Sequence, residues 1–500
     1  MKRKSYIVGV SALCALLSVS VLCALLSVSC ESFMDASGIL EGDFYPGYAE
    51  DGYSGDNYNG FEDNHFIDTD INNVSTFSVD ADGASYANMR RFILQESRLP
   101  EKNAVRIEEF LNYFTFDYPE PENGLSVSVN SEVSDCPWND GHRLIRLGIK
   151  GKSLADDEMP LANYVFLVDV SGSMNSYDKI DLLKKGLIAM TDYLNPEDRV
   201  SIITYSGKVS MLLESTLAKD KEIIKEAISK LTASGSTNGG EAMKMAYEEA
   251  LANYIEGGNN RIIMGTDGDF NVGVFGDELI EMIEDYAAKG IYLTICGFGR
   301  GNLNDSFMEK ASNCGNGTYE YIDSEEEIMK VFVNERSKFQ AVANDAKIQI
   351  TFNKETVKSY RLIGYENRVL NNEDFENDDK DAGEIGAGQT VTALYEIIPH
   401  EGYTAGSECG TFDFRYKEAF GEESIPLSCT IADDGKQMSE NMSFAAGTAA
   451  FGMLLRESPY KGEATFSMAE ELVRGGMSFD PHDYRRQLLE IIAKARKLAE

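Results

Sequence analysis

The sequence has few residues of the kinds that build soft-metal or nucleic-acid sites. Its 500 residues include four His and eight Cys, and no Cys/His spacing is typical of a zinc site. Lys and Arg number 46 against 83 Asp and Glu, for a formal charge of −37. Because nucleic acids are bound through clustered Lys and Arg, this balance argues against a nucleic-acid partner.

Motifs of nucleotide binding and nucleophilic catalysis are also absent. The chain has no G-x-x-x-x-G-K-[ST] sequence, so P-loop nucleotide binding is not expected. It has no G-x-S-x-G sequence, and its His residues, at 65, 142, 400 and 482, suggest no cluster. Nothing singles out an acid–base pair either. We therefore predict no catalytic residue and a protein that is not an enzyme.

Only residues 7–29 form a long apolar run, which excludes a multi-span membrane protein. The run follows the basic residues at 2–4, as in a secretory signal peptide, here predicted over 1–29. The residues before Cys30 resemble the Leu-small-small-Cys signal of bacterial lipoproteins, with the Leu one place early. That resemblance implies lipidation of Cys30, a membrane anchor in the bacterial cell envelope, and a periplasmic or extracellular folded part. An uncleaved helix spanning the bilayer is the alternative.

The residues after Cys30 are strongly acidic. Residues 31–74 contain eleven Asp and Glu and no Lys or Arg, and they are rich in Gly, Tyr, Asn and Ser. Such a segment offers too little apolar area to offset the entropy of ordering it. We predict a flexible, self-repelling tether over 30–74, either a spacer that lifts the folded part off a membrane or a solvated tail.

The middle of the chain alternates short apolar runs with amphipathic helices. Four of the runs are rich in β-formers and nearly continuous: 164–168, 200–205, 262–264 and 291–295. Runs of this kind suit a parallel sheet that is buried on both faces. The alternation predicts an α/β domain with a doubly wound, Rossmann-like sheet over 158–335.

Strand patterns flank this domain on both sides. An N-terminal region is predicted over 75–155, and a C-terminal domain over 345–500 that is first β-rich and then helical. A sheet fragment as short as 121–155 would be poorly stable alone. We therefore expect 121–155 and 345–432 to pair into one β-sandwich, into which the α/β domain is inserted.

Three loops of the α/β domain carry hydroxyl and carboxylate side chains. Asp169-Val-Ser171-Gly-Ser173 follows one strand and Thr266-Asp267-Gly another, while a Gly-rich loop containing Thr237 precedes a helix. Ligands of open parallel sheets bind at the carboxyl ends of the strands, so the loops are expected to meet. All-oxygen ligands favour Mg²⁺, Mn²⁺ or Ca²⁺. Because hydroxyls are neutral, the ion would keep affinity for an outside carboxylate.

These residues resemble the metal-ion-dependent adhesion site of von Willebrand factor A (VWA) domains: D-V-S-G-S, the Thr of G-S-T-N-G-G and the Asp of T-D-G. The resemblance implies that Ser171, Ser173 and Thr237 ligate one divalent ion directly, and that Asp169 and Asp267 act through water. It also implies a protein ligand whose Asp or Glu completes the coordination.

The resemblance extends over roughly 74–500. The segments at 74–88, 105–114, 259–274 and 360–368 look like a bacterial group of VWA lipoproteins with a characteristic N-terminal segment and a C-terminal domain of unknown function. The resemblance to this group implies an architecture and no particular biochemical role. From the cation site and the N-terminus we expect an exported, membrane-anchored lipoprotein that binds a protein ligand through the cation. A metal-stabilised envelope scaffold without ligand capture is the alternative, and a surface-polymer hydrolase the third.

Two features have simpler interpretations beside the functional ones. Ser171 and Ser173 can cap the following helix, since Ser is favoured at helix N-termini. The acidic stretch 371–384 can hold a second ion or be a solvated loop.

Overall fold

The fold is described for residues 55–236, 239–268, 276–378, 380 and 382–500, from a computed structural model. The predicted signal peptide 1–29, Cys30, the first part of the predicted tether and Thr237 lie outside these residues. Within the described residues the strands form three sheets, one in the α/β domain and two in the flanking parts.

The strands lie as follows along the chain: β1 Ile67–Asp68, β2 Val74–Ser78, β3 Val127–Asp135, β4 Arg143–Gly151, β5 Ala162–Asp169, β6 Arg199–Tyr205, β7 Val209–Leu217, β8 Asn259–Thr266, β9 Ile291–Phe298, β10 Tyr319–Ile322, β11 Ala341–Phe352, β12 Val357–Ile363, β13 Val369–Leu370, β14 Gly383–Gly386, β15 Thr390–Pro399, β16 Glu408–Glu418 and β17 Ser424–Ala432.

The α-helices are α1 Ala84–Arg90, α2 Ile107–Asn112, α3 Ile180–Thr191, α4 Lys221–Ser229, α5 Gly240–Ala252, α6 Asp277–Ala287, α7 Asp305–Cys314, α8 Glu325–Met329, α9 Glu440–Arg456, α10 Phe466–Arg474 and α11 Tyr484–Ala499. Short π-helical turns extend α1 and α8 at Arg91–Gln95 and Lys330–Asn334. None of the helices in the described part of the chain combines the length and hydropathy that a bilayer crossing requires.

The α/β sheet has the strand order β10-β9-β8-β5-β6-β7. The first five strands are parallel and β7 is antiparallel at the edge. Side chains of β5 alternate between two cores. Val165 and Leu167 belong to the core that contains α5, α6 and α7. Phe166 and Val168 belong to the core with α3 and α4. The predicted doubly wound α/β fold is confirmed, because helices cover both faces.

The other two sheets form the β-sandwich. Their strand orders are β1-β12-β15-β4-β3 and β13-β2-β11-β16-β17, with β14 paired to β11. β4, which precedes the α/β domain, pairs with β15, which follows it, in a register that aligns Leu147 with Ala393. Residues of both sheets share one core. The predicted insertion of the α/β domain into a sandwich of its flanking segments is confirmed.

The chain leaves and re-enters the sandwich at neighbouring points. A Cβ added to Gly151, at the end of β4, would lie 3.1 Å from a side-chain carbon of Val342, at the start of β11. The Phe339 carbonyl accepts a hydrogen bond of 3.0 Å from Asn259, the first residue of β8. The sandwich therefore joins the end of the α/β sheet at which its parallel strands begin.

The C-terminal helices, whose presence the sequence predicted, pack on the N-terminal ones. Phe444 of α9 lies 4.9 Å from Phe114, ring centre to ring centre, in an edge-to-face contact. The buried Arg485 of α11 lies over the ring of Phe444 at 4.0 Å. The apolar face of α11 is thus covered by the protein itself.

The prediction of a flexible tether was wrong for residues 55–74. Asp56 accepts a hydrogen bond of 2.6 Å from Arg91, and Asp63 forms an ion pair of 2.7 Å with Arg456. β1 pairs with β12. The acidic composition suggested self-repulsion, but cations from distant parts of the chain neutralise these carboxylates and hold the segment on the body.

Buried ion pairs lie where the N-terminal helices, the α/β domain and the sandwich meet, and most of them join two of these parts. We call them the junction ion pairs. Each joins side chains that are almost inaccessible to water, and the set is Arg90 with Asp323 and Glu327, Arg106 with Glu109 and Asp305, Arg368 with Asp80, and Lys330 with Glu335. Since an unpaired buried charge is costly, these pairs fix the parts against one another.

Candidate metal centre

Two neighbouring strands bring the predicted carboxylates together. Asp169 is the last residue of β5, and Asp267 directly follows β8. The two strands are parallel neighbours, with Val168 aligned to Gly265. Both carboxylates are fully buried. They therefore lie side by side at the carboxyl edge of the sheet, where ligands of this sheet type bind.

The turn after β5 presents its hydroxyls together. Asp169 Oδ1 accepts a hydrogen bond of 2.8 Å from the Ser171 backbone N–H, which closes the turn. The hydroxyl oxygens of Ser171 and Ser173 lie 2.9 Å apart. Ser171 is buried and Ser173 is exposed. The two hydroxyls thus lead from the buried carboxylates toward solvent.

The interpretation of these Ser residues as helix caps is wrong. A 3₁₀ turn over Gly172–Met174 begins after Ser171, and no side-chain hydrogen bond caps it. The next α-helix, α3, begins after Lys179 and also lacks a side-chain cap. The hydroxyls are therefore not used as caps in the described structure.

The loop that leads to Thr237 touches the same turn. The Ser234 N–H donates to the Val170 carbonyl at 2.6 Å, and the Gly172 N–H donates to the Gly235 carbonyl at 2.9 Å. Thr237 itself lies outside the described residues, so its role as a ligand stays a prediction. The described part of its loop lies against the turn that carries Ser171 and Ser173, as the prediction requires.

Burial raises the pKa of Asp169 to about 6, although hydrogen bonds from Ser171 favour its charged form. The nearby Asp267 carboxylate raises the pKa further, and the Thr266 hydroxyl, which donates to Asp169 Oδ2 at 3.2 Å, lowers it. Burial and the closeness of the two carboxylates both disfavour their ionised forms. A cation at this edge would relieve that repulsion.

Gly268 allows the loop after β8 to pack closely against the loop that contains Asn304. Gly268 follows Asp267 with φ of +87°, and a Cβ there would lie 2.5 Å from the backbone nitrogen of Asn304. Its N–H donates to the Thr266 hydroxyl at 3.0 Å. Only glycine combines this backbone conformation with so close an approach.

Lys179 is a residue of the site that sequence reasoning missed. Its ammonium lies 2.9 Å from Asp267 Oδ2 and 3.3 Å from the side-chain oxygen of Asn302. The ion pair is well shielded, with side-chain exposures of 10% and 0%. Lys179 stands six residues after Ser173, but no local pattern connects it with an Asp 88 positions away.

The N-terminal segment supports the loop that holds Asn302. Asp56 Oδ1 accepts hydrogen bonds from the N–H groups of Gly301 and Leu303, at 2.7 and 3.2 Å. Asn57 donates its N–H to the Leu303 carbonyl at 2.8 Å. One border of the site is therefore fastened by residues that the sequence had suggested belong to a tether.

A cleft of about 440 Å³ lies between α3 and the loop before α8. Tyr177, which is 78% exposed, stands on its border four residues after Ser173. Charged side chains of both signs line the rest, among them Asp178, Asp181, Lys184, Lys185 and Glu325. The described lining residues include none of those that are predicted to hold the ion.

The donor set fits a hard cation. The described residues contain no grouping of three or more His, Cys, Asp and Glu that is arranged to hold a metal ion. The edge at Asp169 instead combines two carboxylates with two hydroxyls, all oxygen donors, as Mg²⁺ and Ca²⁺ prefer. Ser171 and Ser173 would face the ion, and the two carboxylates would balance its charge.

Two carboxylates of the acidic stretch 371–384 bind groups within the protein. Asp378 accepts hydrogen bonds from Arg415 at 2.9 Å and from the Ser424 hydroxyl at 2.6 Å. Asp374 and Asn371 form a capping box on a short 3₁₀ turn. These contacts favour the interpretation as a surface loop, with residues 379 and 381 outside the described set.

Three family models match the chain in succession. Models described as "von Willebrand factor" and "von Willebrand factor type A domain" match residues 53–146 and 164–269. A model described as "Uncharacterized protein YfbK, C-terminal" matches residues 337–498. The second match covers the α/β domain from β5 to the loop with Asp267.

Several known proteins are similar. The protein YfbK of Escherichia coli strain K12 is 36% identical over 450 residues, which are 85% of this chain and 78% of that protein. Inter-alpha-trypsin inhibitor heavy chain H4 of Homo sapiens is 31% identical over 202 residues, 38% of this chain and 21% of that protein. A solved von Willebrand factor type A structure from Catenulispora acidiphila has 14% identity and a TM-score of 0.41, covering 73% of this chain and 91% of that chain. The likeness to YfbK extends well beyond the α/β domain.

Proposed function

The chain belongs to the family of bacterial von Willebrand factor type A proteins that includes YfbK, and we propose that it binds a protein ligand through a divalent cation. Domains of this type commonly mediate protein interactions and typically bind a divalent metal. Proteins of the family are generally non-catalytic adhesion or interaction proteins. The proposal carries these general properties to the residues of this chain.

One observation carries the proposal: two buried carboxylates and two hydroxyls meet at one sheet edge. Asp169 and Asp267 end adjacent strands, and Ser171 and Ser173 place their oxygens 2.9 Å apart beside them. Ser173 is exposed, so the group is reached from solvent. An oxygen-lined rim that is buried on one side and open on the other suits an ion shared with a partner.

The residues have distinct tasks in this proposal. Ser171, Ser173 and Thr237 would hold Mg²⁺, or Mn²⁺ or Ca²⁺ in its place, which supplies a Lewis-acidic position for an Asp or Glu of the partner. Asp169 keeps the turn closed through the Ser171 N–H. Asp267 provides the second compensating charge. Because the hydroxyls are neutral, the partner's carboxylate would still be attracted.

The cellular setting is part of the same proposal. Lipidation at Cys30 would anchor the chain to a membrane of the bacterial cell envelope, with the folded part periplasmic or extracellular. The basic start, the apolar run and the small residue before Cys30 support this placement. Labelling with a radioactive or clickable fatty acid, lost on Cys30→Ala, would test it.

The test of ligand binding is affinity capture from the native envelope with the mature chain. We expect capture in Mg²⁺, and its loss with chelator and in Asp169→Ala, while far-UV circular dichroism stays unchanged. Asp181→Ala is the matched control, since it removes an exposed carboxylate from nearby α3. Capture that persists in chelator would contradict the proposal.

Two other outcomes separate the alternatives. Mg²⁺ that raises the melting temperature without any captured partner would support a metal-stabilised envelope scaffold. Turnover of a surface polymer that is lost in Asp169→Ala would support a hydrolase.

A further inference from the structure

We propose that Lys179 is a built-in counter-ion of the cation site, which neutralises Asp267 when no ion is bound and lowers the affinity for the divalent ion. This inference rests on the proposed cation site and assigns a positioning and regulating role to a residue outside its ligand set. It follows from where the ammonium lies, how it is held there, and the charge that it adds.

The ammonium lies against one of the two carboxylates of the site. Lys179 Nζ is 2.9 Å from Asp267 Oδ2, and the pair is nearly inaccessible to water. At this separation and in this shielding, opposite charges attract strongly. Asp267 therefore has a partner before any ion arrives, whereas Asp169 is held by neutral donors from Ser171 and Thr266.

The position of Lys179 is built into the fold. Its side chain crosses Gly299, where a Cβ would lie 2.0 Å from Lys179 Cε, and where φ is +76°. Asn302 accepts from the same ammonium at 3.3 Å. The loop with Asn302 is fastened in turn by Asp56. The Lys179 side chain is therefore held at both its stem and its tip in the position that places its ammonium beside Asp267.

The charge balance gives the consequence. When ionised, Asp169 and Asp267 together carry two negative charges, and Lys179 adds one positive charge at the same edge. A divalent ion would be repelled by the ammonium and would share Asp267 with it. Removing the ammonium should therefore tighten the binding of Mg²⁺ by at least about tenfold, and should destabilise the ion-free protein.

A purely structural role predicts otherwise. If Lys179 only ties the loop at Asn302 to the sheet, its loss would lower the melting temperature equally with and without Mg²⁺. The affinity for Mg²⁺ would then stay the same. The two roles therefore differ in a measurable quantity that does not depend on any partner protein.

The experiment compares the full mature chain with Lys179→Met by calorimetric titration of Mg²⁺ and by melting with and without Mg²⁺. Lys185→Met is the matched control, because it removes an equal charge from α3 at an exposed ion pair with Glu325. Asn302→Leu, which frees the ammonium from one of its contacts, is the second variant should Lys179→Met not fold. It should tighten binding less, in the same direction.

We expect Lys179→Met to bind Mg²⁺ at least about tenfold more tightly and to show a larger Mg²⁺-induced rise in melting temperature, with Lys185→Met unchanged. Unchanged or weaker Mg²⁺ binding in Lys179→Met would overturn the inference. Mg²⁺ binding by the variant but not by the native chain would support it while opposing the proposed function. If the native chain binds Mg²⁺ but captures no partner, the proposed function fails, and the ratio of affinities still decides the role of Lys179. Absence of binding by both proteins would overturn both.

Discussion

Two of the regions that bury carboxylates in this molecule compensate the charge differently. At the junction ion pairs, each acidic side chain faces an Arg or Lys. At the sheet edge, Asp169 accepts hydrogen bonds from the neutral Ser171 N–H and Thr266 hydroxyl, and Asp267 faces Lys179. The junction is sealed from water, whereas the edge opens through Ser173.

The difference separates charge that holds the fold from charge that is available for binding. A carboxylate with a buried guanidinium partner has its charge compensated in the folded state and is expensive to separate from it. A carboxylate beside hydroxyls keeps a charge that an outside cation can compensate. Disturbing the junction should therefore change stability, and disturbing the edge should change ion binding.

The largest effect is expected at Arg106. Arg106→Met leaves Glu109 and Asp305 buried without their cation, and should lower the free energy of unfolding by about 3–5 kcal/mol. Urea unfolding followed by circular dichroism measures this. Lys102→Met is the control, because Lys102 and Glu457 form an exposed pair, and exposed pairs contribute little to stability. Equal losses in both variants would remove the distinction between sealed and exposed pairs.

The second-largest effect on stability is expected when the pH is lowered. Burial alone would raise the pKa of Glu335, but Lys330 and Lys338 outweigh it and hold the pKa at about 2. A carboxyl whose pKa is lowered on folding stabilises the protein above its unfolded value of 4.5 and loses that contribution as the pH falls toward 2. The unfolding free energy of the native chain, relative to Glu335→Gln, should fall by about 2 kcal/mol from pH 6 to pH 3. A difference that does not change with pH would contradict the pairing.

The smallest effect on stability is expected at the sheet edge. Mg²⁺ at a tenfold excess over its dissociation constant should raise the unfolding free energy by about 1.4 kcal/mol. Asp169→Asn should abolish that rise while leaving the ion-free protein folded, because the turn keeps its hydroxyls. Calorimetric melting at several Mg²⁺ concentrations measures the effect. A rise that survives in Asp169→Asn would place the ion elsewhere.

The α/β fold and its insertion could be predicted because the signals are local. The runs at 164–168 and 262–264 are apolar throughout, and a strand buried on both faces requires that pattern. Polar residues directly after those strands then had to share one edge. β7 was missed, since its side chains alternate between half-buried and exposed positions at the sheet edge.

What could not be predicted depends on pairing between distant residues. Composition suggested a tether up to residue 74, yet Asp56 and Asp63 bind Arg91 and Arg456, far away in the chain. Lys179 lies 88 positions from its partner. Electrostatic partners of this kind leave no periodicity in the sequence, because only the finished fold brings them together.

The neighbouring points at which the chain leaves and re-enters the sandwich have a mechanical consequence. Both connections of the α/β domain, near Gly151 and Val342, lie at one point, about which the domain would have to turn. The eight-residue strand β5 extends the domain by about 23 Å toward its far rim. Because one hydrophobic core also joins the N-terminal helices, one face of the α/β sheet and the C-terminal helices, a rotation about this point would have to open that core as well as the junction ion pairs before the rim of Ser171 and Ser173 could move.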